Sequence, residues 1–126
     1  MFETRTIMST DVVSVTRYAP ISEVIDLLVT RDITGIPVVN DDGTLAGIVT
    51  EKDILSLLSD LRYASGTVEQ YMTRDVVAFD VDDDFIAICE CLMKNHFRRV
   101  PILADGRLVG IISRRDIIKY IAAPIE

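Results

Sequence analysis

Two short runs hold the residue types that could do chemistry. Thr50 stands three positions before Asp53, and Ser113 stands three positions before Asp116. A hydroxyl followed at that spacing by a carboxylate is a helix-capping box, in which each side chain satisfies a backbone N–H that the first turn leaves unpaired. The same geometry leaves other N–H groups pointing out of the helix end, where they attract an anion such as phosphate. Capping and ligand binding are both open here, and they can share one helix end. Lys52, Arg114 and Arg115 fall in the first turns that would follow, where a cation opposes the helix dipole by a few tenths to about 1 kcal/mol each. A bound anion would relieve that opposition. Arg98 and Arg99 lead into Val100-Pro101-Ile102, a strand that the fold expected below brings beside Ser113–Asp116, so four arginines converge on the second run. Residues 1–64 carry five basic and ten acidic side chains, whereas residues 65–126 carry eight and ten, so the cations concentrate around that second run. A solvated charged face is the plainer reading of Arg98, Arg99, Arg107, Arg114 and Arg115.

Other chemistry is thin. His96 is the single histidine, which leaves no pair for zinc, and its neighbours suggest a loop position after a helix. Asp80, Asp82, Asp83 and Asp84 lack the ligand spacing of a calcium loop and read as a helix start. There is no glycine-rich phosphate loop and no nucleophile with an adjacent base, so neither an enzyme nor a resident metal is expected. Cys89 and Cys91 are separated by one residue in a helical pattern, point to different sides, and read as small core residues.

The elements that must position these residues come twice. Ile7–Val39 aligns with Tyr71–Leu103 at an offset of 64, and Asp42–Leu58 with Asp105–Ile121 at an offset of 63. Thirteen of the fifty aligned pairs are identical, among them Met8/Met72, Pro37/Pro101, Gly47/Gly110 and Asp53/Asp116. A fixed period of this length means one supersecondary unit used twice. Each copy reads as strand, helix, strand, turn, strand, helix. Val12, Val13 and Val15 form a β-branched run, and Ile21, Val24, Ile25 and Leu28 recur at helical spacing after Pro20, with Asp82–Asp84 starting the second copy's helix. Ile36–Val39 and Leu45–Val49 flank an Asp-Gly turn, the pattern of a hairpin, and Thr50 opens the last helix. The expected fold class is α+β, two tandem βαββα repeats packed sheet to sheet with pseudo-twofold symmetry, because units this small cannot cover both sheet faces alone. The expected boundaries are 5–62 for repeat one, 63–69 for the linker around Ser65-Gly66-Thr67, and 70–122 for repeat two.

The 126 residues are 49% hydrophobic and 26% charged, with a formal charge of −7. That acidity argues against nucleic acid or an anionic membrane as partner, and confines any anion site to a local patch. No run approaches the roughly 18 apolar residues that span a bilayer, and residues 1–10 lack a signal-peptide core, so a cytoplasmic protein is expected. A mean hydropathy of +0.32 is high for so short a chain and favours burial against a second copy.

Gly47-Ile48-Val49-Thr50-Glu51-Lys52-Asp53 and Gly110-Ile111-Ile112-Ser113-Arg114-Arg115-Asp116 resemble the Gly-hydrophobic-x-Ser/Thr-x-x-Asp motif of the cystathionine-β-synthase (CBS) domain family. Gly35-Ile36-Pro37-Val38-Val39 and Arg98-Arg99-Val100-Pro101-Ile102 resemble its second strand. Met8-Ser9-Thr10-Asp11-Val12-Val13 and Met72-Thr73-Arg74-Asp75-Val76-Val77 resemble its first. The likeness covers about residues 5–122 and implies a stand-alone tandem CBS pair that binds an adenosine-containing ligand in the cleft between repeats and reports it by conformational change to an unidentified regulated protein. AMP, ADP or ATP rank ahead of S-adenosylmethionine or NAD. The resemblance assigns Asp53 and Asp116 to the ribose and Thr50 and Ser113 to ribose or phosphate. Lys52, Arg98, Arg99 and Arg115 supply positive charge for the phosphates, since a guanidinium grips phosphate oxygens through a planar fork. The backbone around Thr34-Gly35-Ile36 and Arg98-Arg99-Val100 would meet the adenine, with Val13 and Val77 among the apolar walls and Thr10 and Thr73 beside them. Sheet core is the plainer reading of those valines. Because repeat one has Thr34-Gly35 and Glu51-Lys52 where repeat two has Arg98-Arg99 and Arg114-Arg115, the Asp116 site is expected to take a phosphorylated adenosine more tightly. Homodimerisation into a disc of four repeats is implied as well. The competing reading is a ligand-free scaffold of the same shape that dimerises or docks another protein.

Overall fold

The computed structural model describes residues 3–59, 65–95 and 97–123. In chain order the elements are α1 (Thr4–Ile7), β1 (Val15–Thr16), α2 (Ile21–Thr30), β2 (Gly35–Val39), β3 (Leu45–Thr50) and α3 (Glu51–Leu55), which a 3-10 turn extends over Ser56–Ser59. There follow α4 (Val68–Tyr71), β4 (Phe79–Asp80), α5 (Phe85–Lys94), β5 (Arg99–Ala104), β6 (Arg107–Ser113) and α6 (Arg114–Ala122). The doubled α+β plan holds, with two three-stranded sheets of order β1-β2-β3 and β4-β5-β6. In each sheet the short first strand runs parallel to the second, and the second and third form an antiparallel hairpin.

The hairpins follow from their turn chemistry. Asp105 and Gly106 both have positive φ, 52° and 78°, the handedness that a two-residue turn needs to match strand twist. The first hairpin keeps its extra residue in the turn, where Gly43 takes φ 86° and its N–H donates to the Asn40 carbonyl at 2.9 Å. The opening β-branched run shortens to Val15–Thr16, with Val13 only half-buried ahead of it. Pro20 precedes α2 as its N-cap, and Asp84 caps α5 by accepting from the Ile86 N–H at 3.2 Å.

The chain divides into two compact bodies, residues 13–76 and residues 1–12 with 77–126. The bodies are not the sequence repeats. The segment that opens each repeat packs on the other repeat's sheet: Thr73 pairs with Ile48 in the first body, and Ser9 pairs with Ile111 in the second. Each body carries its own core. Ile21, Val24, Ile36, Val38 and Val49 are fully buried in the first, joined there by Val68 and Met72 from the exchanged segment. Ile88, Val100, Ile102 and Ile112 fill the second, with Met8 packed against them.

Two short helices, α1 and α4, had no counterpart in the periodicity. Helix α4 begins inside the stretch expected to be linker, with a capping box between Thr67 and Gln70. Residues 63 and 64 of that linker, and His96, lie outside the described residues. Cys91 packs at the rim of the second core. Cys89 is half-buried, and burial, aided by the negative charge of Asp84, pushes its thiol pKa up.

Candidate functional site

Each third strand runs directly into a helix, and the joint is the candidate site. Thr50 ends β3 in extended conformation and caps α3. The Asp53 N–H donates to Thr50 Oγ1 at 3.4 Å, while the Thr50 N–H donates to Asp53 Oδ2 at 2.9 Å. In the second body Ser113 ends β6 and caps α6 in the same way: the Asp116 N–H donates to Ser113 Oγ at 3.1 Å and the Ser113 N–H to Asp116 Oδ2 at 2.9 Å. The capping reading of both runs is therefore a structural fact.

The second strands lie against these caps. Gly35 is paired with Thr50, and Arg99 with Ser113. One backbone bond closes each joint, from the Glu51 N–H to the Thr34 carbonyl and from the Arg114 N–H to the Arg98 carbonyl, both at 3.0 Å. The sixteen candidate residues divide evenly. The first body gathers Val13, Thr34, Gly35, Ile36, Thr50, Lys52, Asp53 and Thr73, and the second gathers Thr10, Val77, Arg98, Arg99, Val100, Ser113, Arg115 and Asp116.

Within each set the structure discriminates. Ile36 and Val100 are core residues with 0% and 1% of their surface exposed. Val13 and Val77 stand two positions ahead of β1 and β4, Val13 half-buried and Val77 exposed. Lys52, Arg98 and Arg115 are exposed, as is Thr10, which follows the Ser9–Ile111 bridge. Arg99 is half-buried, and its Nε is shielded from solvent with no hydrogen-bond partner among the described residues. Arg114 leaves the cluster: its guanidinium donates to the carbonyls of Leu92 and Asn95 at 2.8 and 2.9 Å, closing the end of α5. Of the four arginines expected to converge on this joint, Arg114 is therefore committed elsewhere.

The two carboxylates differ. Asp53 receives the Thr50 hydroxyl on Oδ2 at 3.1 Å and the Thr73 hydroxyl on Oδ1 at 3.0 Å and Oδ2 at 3.3 Å. No hydrogen bond from the described residues reaches Asp116 Oδ1. The counterpart of Thr73 is Ser9, which the sequence reading passed over; the offset of 64 that aligns Met8 with Met72 was the signal for it. Among the described residues no group of three His, Cys, Asp or Glu is placed to hold a metal ion.

The CBS-domain pattern matches residues 5–60 and again residues 68–123. An uncharacterized protein of Methanocaldococcus jannaschii is 34% identical over 119 residues, 94% of this chain and 42% of its own length. The inosine-5'-monophosphate dehydrogenase of the same organism is 34% identical over 110 residues, 86% of this chain and 21% of its own length. The chain thus spans less than half of either relative. Among solved structures, CBSX2 in complex with AMP superposes with a TM-score of 0.85 at 26% identity, covering 96% of both chains. The CBS domain pair of protein MJ0100, in complex with 5'-methylthioadenosine and S-adenosyl-L-methionine, gives 0.80 at 27% identity, again over 96% of both chains. Duplicated strand-to-helix caps, a matching pattern in both copies and a shared fold converge on one assignment: the chain belongs to the CBS-domain family and carries two CBS domains in tandem.

Proposed function

We propose that this CBS pair is a regulatory module that binds an adenosine-containing nucleotide and passes the binding event to a partner protein through a shift in conformation. AMP, ADP and ATP are the first candidates, ahead of S-adenosylmethionine and NAD. The observation that carries the reading is the joint at Ser113. There a carboxylate with one oxygen, Asp116 Oδ1, that no described residue hydrogen-bonds closes a capping box whose paired strand begins at Arg99, just after Arg98. An uncommitted carboxylate oxygen accepts from ribose hydroxyls, and a guanidinium such as that of Arg99 grips phosphate oxygens through a planar fork. The nine-residue α6 adds the partial positive charge of its N-terminus. In this reading Ser113, Arg98 and Arg115 serve the phosphate and the Arg98–Val100 backbone the base at this joint, as the Thr34–Ile36 backbone does at the Thr50 joint, because the Ile36 and Val100 side chains are committed to the cores.

Binding of AMP to CBSX2 and of adenosyl compounds to MJ0100 supports the ligand class. Calorimetric titration of AMP, ADP and ATP into wild type and Asp116→Ala tests it. At least tenfold weaker binding by the variant is expected, the worth of hydrogen bonds to a charged acceptor, and unchanged affinity removes Asp116 from the site. A ligand at a hundredfold over its dissociation constant should also stabilise the fold by about 2.7 kcal/mol.

We further propose a cytoplasmic homodimer. Ile118 and Ile121 on α6 are 62% and 69% exposed and Leu55 on α3 is 64% exposed, an unusual amount of aliphatic surface on two helices. The same surface favours the alternative, a docking scaffold without ligand, and a flat melting screen across the candidate nucleotides would select it.

A further inference from the structure

The hydroxyl of Thr73 occupies the carboxylate of the first body. Its Oγ1 lies 3.0 Å from Asp53 Oδ1 and 3.3 Å from Oδ2, so the oxygen left over by the capping box already accepts a hydrogen bond from a hydroxyl. Thr73 is held there by the backbone: its N–H donates to the Ile48 carbonyl at 2.8 Å and its carbonyl accepts from the Ile48 N–H at 2.9 Å. That bridge is possible because residue 47 is glycine, since a Cβ there would stand 2.7 Å from the Thr73 carbonyl oxygen. The second body builds the same bridge with Ser9 and Ile111 at 2.8 and 2.9 Å, but no Ser9 hydroxyl bond reaches Asp116. A hydroxyl hydrogen-bonded to a carboxylate is the contact that a ribose hydroxyl would make.

We propose that Thr73 is an internal stand-in for ribose at Asp53, an affinity-determining residue that a nucleoside must displace before the first body can bind it. This inference rests on the reading of Asp53 and Asp116 as ribose acceptors and extends it. The two half-sites then differ through an occupied carboxylate as well as through the missing arginines. Occupation of the first also frees the Thr73 side chain from α3, leaving the backbone bridge to hold the exchanged segment.

The test uses the full chain in an Asp116→Ala background, so that only Asp53 is read, with AMP as the calorimetric probe. Thr73→Val keeps the branched shape and deletes the hydroxyl, and Thr73→Ser keeps the hydroxyl. Tightening of about tenfold by Thr73→Val, the worth of a hydrogen bond to a charged group, with Thr73→Ser unchanged from its parent, is the expected result. If Thr73→Val binds AMP equally or more weakly, or if neither parent nor variant binds at millimolar AMP, the proposal falls. The parent reading is scored separately. Wild type that binds AMP and loses affinity on Asp116→Ala upholds it even when the Thr73 series is flat, whereas wild type that binds no AMP ends both.

Discussion

Asp53 and Asp116 are the same residue in the same capping box, and what separates them is the company each keeps. Asp53 gives up the Thr73 hydroxyl when a ribose hydroxyl takes its place, so the net gain there is small. Asp116 Oδ1 has no hydrogen bond from the described residues to give up, so a ribose hydroxyl there adds a charge-assisted bond without breaking an intramolecular one. The arginines need the same scrutiny. Arg114 spends its guanidinium on the Leu92 and Asn95 carbonyls, two groups that the end of α5 would otherwise leave without partners. Arg114→Ala should therefore lower stability by about 1–2 kcal/mol, allowing for partial exposure of these bonds, and change AMP affinity less than threefold. Urea denaturation beside calorimetry checks this, and a stable variant with weakened binding would return Arg114 to the site. The capping boxes were legible in the sequence because three residues of spacing determine them. The destination of Arg114 was not, because its acceptors lie 22 and 19 positions away and charge alone cannot name them.

At the scale of elements, the glycine that opens each Gly-Ile-x-Thr/Ser motif has a packing reason. A Cβ at Gly47 would come within 2.7 Å of the Thr73 carbonyl oxygen and 2.9 Å of Met72 Sδ, and one at Gly110 within 2.6 Å of Met8 Sδ and 3.0 Å of the Ser9 carbonyl oxygen. The third strand of each sheet can form its bridge, at Ile48 or Ile111, only because the residue before it has no side chain. Gly47→Ala is expected to push residues 72–73 away and cost about 1–3 kcal/mol, the range for overpacking. A lowered urea midpoint, with faster amide exchange at Ile48 and Thr73, is the measurement, and unchanged exchange there would refute the packing argument. The hairpins and longer helices were readable because alternation, Asp-Gly turns and 3.6-residue spacing are local signals. The four-residue helices α1 and α4 were not, since one turn shows no periodicity and what accompanies it is burial of Ile7 in α1 and the docking of Val68 and Met72 into a core formed by distant sequence.

For the whole molecule, the exchange of opening segments makes the repeat a poor guide to the folding unit. Self-similarity fixes which residues correspond but carries no information about which copy a segment packs against, so the boundaries read from the repeat and those of the compact bodies diverge at residues 5–12 and 70–76. The consequence is measurable. A fragment of residues 13–76 contains the complete first core, including Val68 at 0% and Met72 at 8% exposure. A fragment of residues 1–64 has the whole first sequence repeat but lacks both side chains and the Thr73 bridge to β3. Burial of two apolar side chains of this size is worth about 3–6 kcal/mol, a large share of the roughly 5–15 kcal/mol that holds a domain folded. Fragment 13–76 should therefore melt cooperatively by circular dichroism, and fragment 1–64 should melt lower by about 12 °C or more or show no transition, given that about 1 kcal/mol shifts a 60-residue melt by 4–8 °C. Equal melting of the two fragments would mean that the exchanged segment contributes no stability, and that the boundary between the folding units lies where the sequence repeat ends.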